Sequence, residues 1–309
     1  MQPNMLNFFK MEGALNDYVY IDALDMAGLP DFSTDEIRRI SDRHAGIGAD
    51  GLVIIAPGDA QADARMIMYN ADGSASDMCG NALRCIGLYL FRRAGLREMR
   101  IASGAGVHTG RMLAELDAHT GYVEISVGAP RFAPDEIPVR TDRLQLPADW
   151  NENTVLRNVQ LDVEGNRYPV TLVSMGNPHC VLFVDDADRF ALESIGPLVE
   201  NHPAFPRRTN FEVVSRETYT TADGQQKERL YQRTFERGSG ETLACGSGAC
   251  AVHVAAVLNG ISPARANIRL RGGELELEWN GSVRNPDTVF MRGPARFVFS
   301  GQLDRNVFR

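Results

Sequence analysis

Two cysteines in this sequence occupy the same local setting. Cys79 and Cys245 are each followed by glycine and by the start of a predicted helix, residues 80–93 in one case and Gly246–Leu258 in the other. Unpaired backbone N–H groups and the positive end of the helix dipole meet at such a position, where they favour a thiolate and can hold a carboxylate. We therefore expect both thiols to have a lowered pKa and to lie beside an anion site.

The surroundings of the two cysteines repeat as well. Asn70 lies nine residues before Cys79, and Glu236 lies nine residues before Cys245. In both cases a predicted strand and a small, polar, glycine-containing loop precede the cysteine. This repetition predicts two related domains with a site between them. Two thiols on opposite sides of one carbon suit stereoinversion, because one thiolate removes a proton and the opposite thiol delivers another.

The other three cysteines have a simpler interpretation. Cys85 and Cys250 lie inside apolar helical stretches and Cys180 leads into a strand, so all three are predicted to be small buried side chains. Five cysteines in a chain of this length make a disulfide framework unlikely. A zinc site is the alternative use of the thiols, but the spacings lack the short Cys-x2–4-Cys pattern of structural zinc sites.

Composition excludes several classes of function. The chain has 309 residues, 44% of them hydrophobic, and a net charge of −8, which predicts a soluble protein without a nucleic-acid or membrane partner. The first residues lack the pattern of a secretory signal, so we expect a cytoplasmic protein. Lys10 and Lys227 are the only lysines, and neither lies in a setting that suits a pyridoxal phosphate Schiff base.

Predicted strands fill most of the chain, and residues 34–44 form a third predicted helix. The segment from Gly46 to Gly51 satisfies the G-x-G-x-x-G pattern of dinucleotide-binding proteins. It follows a helix and leads into a strand, which is the reverse of the order that dinucleotide binding requires. We interpret it as a tight connection.

Both cysteine segments resemble the active-site signatures of the diaminopimelate epimerases. Asn70-Ala71-Asp72-Gly73-Ser74 with Met78-Cys79-Gly80-Asn81-Ala82 is similar to the first signature, and residues 236–242 with Ala244-Cys245-Gly246-Ser247-Gly248 are similar to the second. The segments 13–18 and 175–180 follow the order of the same family. The resemblance covers nearly the whole chain.

This resemblance implies an enzyme without a cofactor that interconverts L,L- and meso-diaminopimelate, on the route to lysine and peptidoglycan. It implies an α+β fold of two similar, pseudo-symmetric domains, each a strand-rich, barrel-like fold around a central helix. We place the first domain at residues 1–128 with a C-terminal strand at about 297–309, and the second at residues 129–296. A small-molecule substrate is the expected partner, and a homodimer is left open.

The resemblance also assigns roles to individual residues. Cys79 and Cys245 are the expected acid/base thiols, and the N–H groups around Gly80-Asn81 and Gly246-Ser247 are expected to hold the reacting carboxylate. The expected substrate-binding side chains, which act largely at the distal end, are Asn16, Asn70, Asn177, Asn210, Glu236 and Arg237. His44 and His179 are candidates for supporting the thiols, and a purely structural role for them is equally open.

Three positions depart from the family pattern: Glu12, Leu15 and Gly51. A leucine beside Asn16 could reshape the mouth of the pocket and change the substrate. A related racemase acting on another amino acid, such as histidine or proline, is therefore the alternative enzyme. From another class, the chain could be a thiol redox or binding module on the same fold, although the Glu236–Arg237 pair argues for a retained substrate site.

Overall fold

The computed structural model describes residues 5–148, 150–151, 154–221 and 223–308. The described parts of Met1–Ser126 and Arg292–Arg309 form one compact unit, and those of Val127–Met291 form a second. The strands are, in chain order, β1 (Met5–Gly13), β2 (Asn16–Asp22), β3 (Gly51–Asp59), β4 (Ala62–Asn70), β5 (Ala75–Ser76), β6 (Glu98–Ser103), β7 (Gly106–Glu115), β8 (Thr120–Gly128), β9 (Val159–Val163), β10 (Asn166–Ser174), β11 (Pro178–Phe183), β12 (Asn210–Thr220), β13 (Gln226–Glu236), β14 (Gly240–Thr242), β15 (Arg265–Leu270), β16 (Gly273–Glu278) and β17 (Val289–Asp304). The helices are α1 (Thr34–Ser41), α2 (Gly80–Ala94), α3 (Leu192–Glu200), α4 (Gly246–Leu258) and α5 (Arg305–Phe308), with a short 3-10 helix at Thr141–Arg143.

The first unit is a closed barrel. Its strands pair in the order β1, β2, β3, β4, β6, β7, β8 and β17, and β17 pairs back onto β1. The β2–β3 and β4–β6 pairs are parallel, and helices α1 and α2 connect these two pairs. Closure leaves these strands without an exposed edge.

Apolar side chains on both faces of the strands explain where the helices of this unit pack. In β3, Val53 and Ile55 join the core that contains α2, whereas Leu52 and Ile54 join the core that contains α1. A strand buried on both faces requires a continuous apolar run, and Leu52-Val53-Ile54-Ile55 supplies it. Helix α2 ends at Gly95, whose φ of +70° is the left-handed conformation that glycine adopts readily.

The second unit repeats this plan. Strands β9, β10, β11, β12, β13, β15 and β16 pair in that order, and the β11–β12 and β13–β15 pairs are parallel. Helix α3 connects the first parallel pair and α4 connects the second. Ten residues of α4 are buried, as are ten residues of α2. The predicted α+β fold of two similar, strand-rich units around a central helix is confirmed.

Some local predictions were wrong. The helix predicted at residues 34–44 ends at Ser41, because Asp42 adopts an extended conformation and its carboxylate accepts hydrogen bonds from the next loop, whose donors are His44 and Ala45. Helix α3 was not predicted, since it contains both Gly196 and the helix-breaking Pro197. In the described part of the chain, no helix is long and apolar enough to cross a membrane.

Candidate active site

Cys79 occupies the N-cap position of α2 and contacts the hairpin that joins β1 to β2. Its thiol lies 3.4 Å from Oδ1 of Asn16, the first residue of β2. The same oxygen accepts a hydrogen bond of 3.1 Å from the Asn81 side-chain amide, in the first turn of α2. The predicted residues Cys79, Asn81 and Asn16 therefore meet in the first unit, although 63 positions separate Asn16 from the cysteine.

Asn16 is hydrogen-bonded to a group of charged side chains, which extends from Asp50 to Lys10. The Asn16 Nδ2 donates to Asp50 Oδ2 at 2.7 Å, and Asp50 Oδ1 lies 2.9 Å from the Arg43 guanidinium. Arg43 also binds both carboxylate oxygens of Asp17, one of which lies 2.7 Å from the Lys10 ammonium. Burial and the Asp17 charge raise the pKa of Asp50. The sequence predicted a role for Asn16 but for none of the charged residues behind it.

Cys245 occupies the corresponding N-cap position of α4, and its side chain caps the helix. Its sulfur accepts a hydrogen bond of 3.4 Å from the Gly248 N–H and lies 3.6 Å from the Ser247 hydroxyl. The thiol side chain is almost completely buried, with 6% of the residue exposed. Gly248 is required here, since a Cβ at this position would lie 2.8 Å from Glu212 Oε1 and 3.2 Å from the sulfur.

Behind Ser247 lies a line of three side chains, the partly buried Asn177 and the fully buried His179 and Glu212. Asn177, in the turn between β10 and β11, donates to the Ser247 hydroxyl at 3.3 Å and lies 3.0 Å from His179 Nε2 through its own Oδ1. His179 Nδ1 lies 2.8 Å from Glu212 Oε1, and both of these side chains are fully buried. The structure thus joins the predicted residues Asn177, His179 and Ser247 with Glu212, which was not predicted.

Glu236, Arg237 and Asn210 lie together at neighbouring strand ends in the second unit. The Asn210 amide donates to the Pro178 carbonyl, and its Oδ1 accepts from the Arg237 backbone N–H at 3.0 Å. The Thr242 hydroxyl donates to Glu236, which is half-buried. The Arg237 side chain is exposed and donates to the carbonyl of Arg207.

The expectation of lowered thiol pKa values is wrong. Burial raises the pKa of Cys79, although the N–H groups of Ala82 and Asn81 and the Tyr18 hydroxyl act in the opposite direction. Burial also raises the pKa of Cys245, and the negative charges of Glu236 and Glu212 raise it further. The free energy needed to remove a thiolate from water exceeds the stabilisation that the donors at the helix start provide. The sequence does not show how deeply each thiol is buried.

Of two other predicted residues, Asn70 is the last residue of β4 and His44 lies in a loop. Asn70, at the end of β4, donates to the Ser74 hydroxyl at 2.9 Å and so shapes the turn before Cys79. His44 is exposed in the loop after α1, and its backbone N–H donates to Asp42. The Cys79 thiol donates to Asn16 Oδ1, and no hydrogen bond joins it to His44 in the described residues.

Comparison with known sequences decides the family. The sequence model for diaminopimelate epimerase matches residues 8–133 and 171–298, which include both cysteines and all the asparagines named above. The chain belongs to the diaminopimelate epimerase family. The family and the isomerase class that the sequence predicted are confirmed.

Relatives within the diaminopimelate epimerase family match nearly the entire chain. The diaminopimelate epimerase of Leptospira biflexa is 44% identical over 305 residues, which cover 97% of this chain and 99% of that protein. The enzyme of the same name from Acetivibrio thermocellus is 42% identical over 303 residues, with the same coverage. A Bacillus anthracis phenazine biosynthesis protein of the PhzF family shares the fold, with a TM-score of 0.63 at 15% identity, 96% coverage of this chain and 98% of that one.

Asp50 and Glu212 are two acidic residues of the site that were not predicted from the sequence. Each had a signal: Asp50 lies inside the glycine-rich connection, and Glu212 is a charged residue within the apolar strand sequence Phe211-Glu212-Val213-Val214. Within the described residues, His, Cys, Asp and Glu side chains form no group of three that could hold a metal ion.

Proposed function

We propose that this protein interconverts L,L- and meso-diaminopimelate by proton transfer at the α-carbon, with Cys79 and Cys245 as the two acid/base groups. The repeated site geometry carries the proposal. Each unit places a Cys-Gly pair at the start of its buried helix. The second residue of that helix, Asn81 in α2 and Ser247 in α4, forms a hydrogen bond with an asparagine of a hairpin. Membership of the diaminopimelate epimerase family supports the same reaction.

The reaction moves one proton off the α-carbon and another onto its opposite face. The thiolate of one cysteine takes the α-proton and becomes a thiol, while the thiol of the other cysteine gives its proton to the carbanion and becomes the thiolate. The reverse reaction exchanges the two roles. Because the α-proton is a weak acid, fixed donors must stabilise the charge that develops on the substrate carboxylate.

The helix N-termini supply those donors. Backbone N–H groups around Gly80-Asn81 and Gly246-Ser247 lie at the first turns of α2 and α4, where unpaired donors and the helix dipole favour an anion. Glu236 and Arg237 carry charges that match the ammonium and carboxylate of the distal end of the substrate. Asn16, Asn70, Asn177 and Asn210 complete this proposed substrate-binding set, with His179 supporting the second thiol.

We expect a cytoplasmic enzyme that serves lysine and peptidoglycan precursor synthesis and needs no cofactor. Its partner is the small-molecule substrate, without nucleic acid or membrane, and a homodimer is the state to test by light scattering. We also propose the two domains expected from the sequence, residues 1–128 with about 297–309 and residues 129–296, each with one catalytic cysteine.

Proton NMR in D2O tests the proposal directly. The purified, reduced protein is incubated with L,L-diaminopimelate, and we expect loss of the α-proton signal with appearance of the meso isomer. Cys79→Ala and Cys245→Ala should each abolish this conversion. Cys85→Ala and Cys250→Ala are the matched controls, because each removes a buried thiol from the same two helices and should keep the activity.

Other outcomes would replace the proposal. If the protein exchanges the α-proton of a different amino acid but not that of diaminopimelate, the chain is a racemase for that amino acid. Leu15 would then be the residue that changed the pocket. No exchange with any amino acid would favour a thiol redox or binding module. Full turnover in either Cys79→Ala or Cys245→Ala would remove the two-thiol mechanism.

A further inference from the structure

The side chain of Asn16 stands between the Cys79 thiol and the Asp50 carboxylate. Its oxygen is the atom near the sulfur, at 3.4 Å, and its nitrogen donates to Asp50 Oδ2 at 2.7 Å. An amide oxygen in this position can only accept a hydrogen bond, so it favours the protonated thiol. An amide nitrogen in the same position would donate to sulfur and favour the thiolate.

Asn81, the other hydrogen-bond partner of Asn16, does not determine the orientation of the Asn16 side-chain amide. It donates to the Asn16 oxygen at 3.1 Å, but its own Oδ1 accepts no hydrogen bond within the described residues. If both amides turned over together, Asn81 Oδ1 would accept from Asn16 Nδ2 and the hydrogen bond between them would be retained. The ionised carboxylate of Asp50 has no such freedom, because it offers acceptors only.

Asp50 is itself firmly held. Its backbone N–H donates to the Asp17 carbonyl at 2.8 Å, and the Asp17 N–H donates back to Asp50 Oδ2 at 3.2 Å. Arg43 binds the other carboxylate oxygen at 2.9 Å. The glycine-rich connection before β3 delivers Asp50 to this place, since the N–H groups of Ile47 and Gly48 both donate to the carbonyl of Ile40.

The second unit contains a comparable arrangement. There the hairpin asparagine is Asn177, its partner in the helix is Ser247, and Glu212 reaches it through His179. In both units a carboxylate on or next to the second strand of the parallel pair therefore lies behind the hairpin asparagine, directly in the first unit and through an imidazole in the second.

We infer that Asp50 is a positioning residue for Cys79, fixing Asn16 so that its amide oxygen faces the thiol. This role rests on the proposed function of Cys79 and extends it to a residue that does not touch the sulfur. Asp50 thereby keeps Cys79 in the protonated thiol form, from which Cys79 delivers its proton to the substrate. The other titratable or charged groups that face Cys79 are Tyr18, Tyr20, Arg84 and Cys85.

The test is the pH dependence of Cys79 alkylation by iodoacetamide, followed by mass spectrometry of the Cys79 peptide. In Asp50→Ala we expect the midpoint of this profile to move to lower pH by about one unit, because the released Asn16 amide can donate to the thiolate. Loss of the Asp50 charge alone would act in the same direction, so a second comparison is needed.

A double-mutant cycle separates the two causes. If Asp50 acts through Asn16, the shift caused by Asp50→Ala disappears in the Asn16→Ala background; an equal shift in both backgrounds would overturn the inference. Asp17→Asn is the charge control. It removes a carboxylate that belongs to the same charged group but makes no hydrogen bond to the Asn16 side chain, so the midpoint of the alkylation profile should shift much less. If Asp50→Ala does not fold, Asp50→Asn serves in the same cycle.

Alkylation does not depend on turnover, so the two proposals can fail separately. A shift that depends on Asn16, in a protein that exchanges no α-proton, would retain the positioning role and reject the function. Normal epimerase activity with no shift in Asp50→Ala would retain the function and reject the positioning role.

Discussion

His179 Nδ1 lies 2.8 Å from Glu212 Oε1, and neither side chain is exposed to solvent. Adjacent parallel strands β11 and β12 bring them together, with His179 opposite Asn210 in the register. A buried carboxylate requires a partner, and His179 in turn holds Asn177 against Ser247 beside the Cys245 thiol. The pair therefore links the core of the second unit to its candidate catalytic cysteine.

Glu212→Ala should lower the free energy of unfolding by about 2 kcal/mol, because it leaves the buried His179 Nδ1 without its acceptor. Glu212→Gln, whose amide oxygen can still accept from Nδ1–H, should recover much of this loss. Glu228→Ala, on an exposed part of β13, is the control and should change stability by less than about 0.5 kcal/mol. Urea unfolding measures all three; equal losses in Glu212→Ala and the control would contradict a structural role for the pair.

Alkylation of both thiols should rise with pH beyond the usual thiol range. A raised pKa leaves little thiolate at neutral pH, so the rate increases as pH climbs towards that pKa. Burial and the charges of Glu236 and Glu212 raise the pKa of Cys245, whereas at Cys79 burial acts against nearby donors. We expect both midpoints in the substrate-free protein to exceed about 8.5, with Cys245 higher than Cys79. The reverse order, or midpoints near neutrality, would show that the helix N-termini outweigh burial.

Gly248→Ala should damage the second thiol site. The added methyl would lie 2.8 Å from Glu212 Oε1 and 3.0 Å from Gln232 Nε2, inside a buried site. We expect a loss of about 1–3 kcal/mol in the free energy of unfolding and a fall in epimerase activity of about tenfold or more. Gly28→Ala is the control, because a Cβ there meets nothing within 4 Å. Unchanged activity in Gly248→Ala would mean that Cys245 tolerates displacement.

Mild oxidation should inactivate the protein by joining Cys79 to Cys245. All five cysteines are free in the structure, and the proposed mechanism requires these two on either side of one carbon. Peptide mapping should locate the disulfide, and dithiothreitol should restore the activity. Cys245→Ser should form no such bond. Full activity in oxidised protein with a mapped Cys79–Cys245 bond would rule out the two-thiol site.

The sequence by itself determined the repeated helix starts. A strand, a glycine-containing loop, a Cys-Gly pair and a helix are local features, and turn residues and helix termination at Gly95 and Gly260 have local physical causes. The same local patterns carried the family resemblance and the fold class. Helix α3 was missed because its local sequence, with Gly196 and Pro197, contradicts its tertiary packing.

Tertiary structure alone decided what stands behind each thiol. Asp50 reaches Asn16 across 34 positions, and Glu212 reaches His179 across 33, because parallel strands bring together residues that a helix separates in sequence. Burial, too, is a property of the folded chain. It reversed the expected direction of the pKa shift at Cys79 and Cys245, since the cost of desolvating a thiolate depends on every element packed around it.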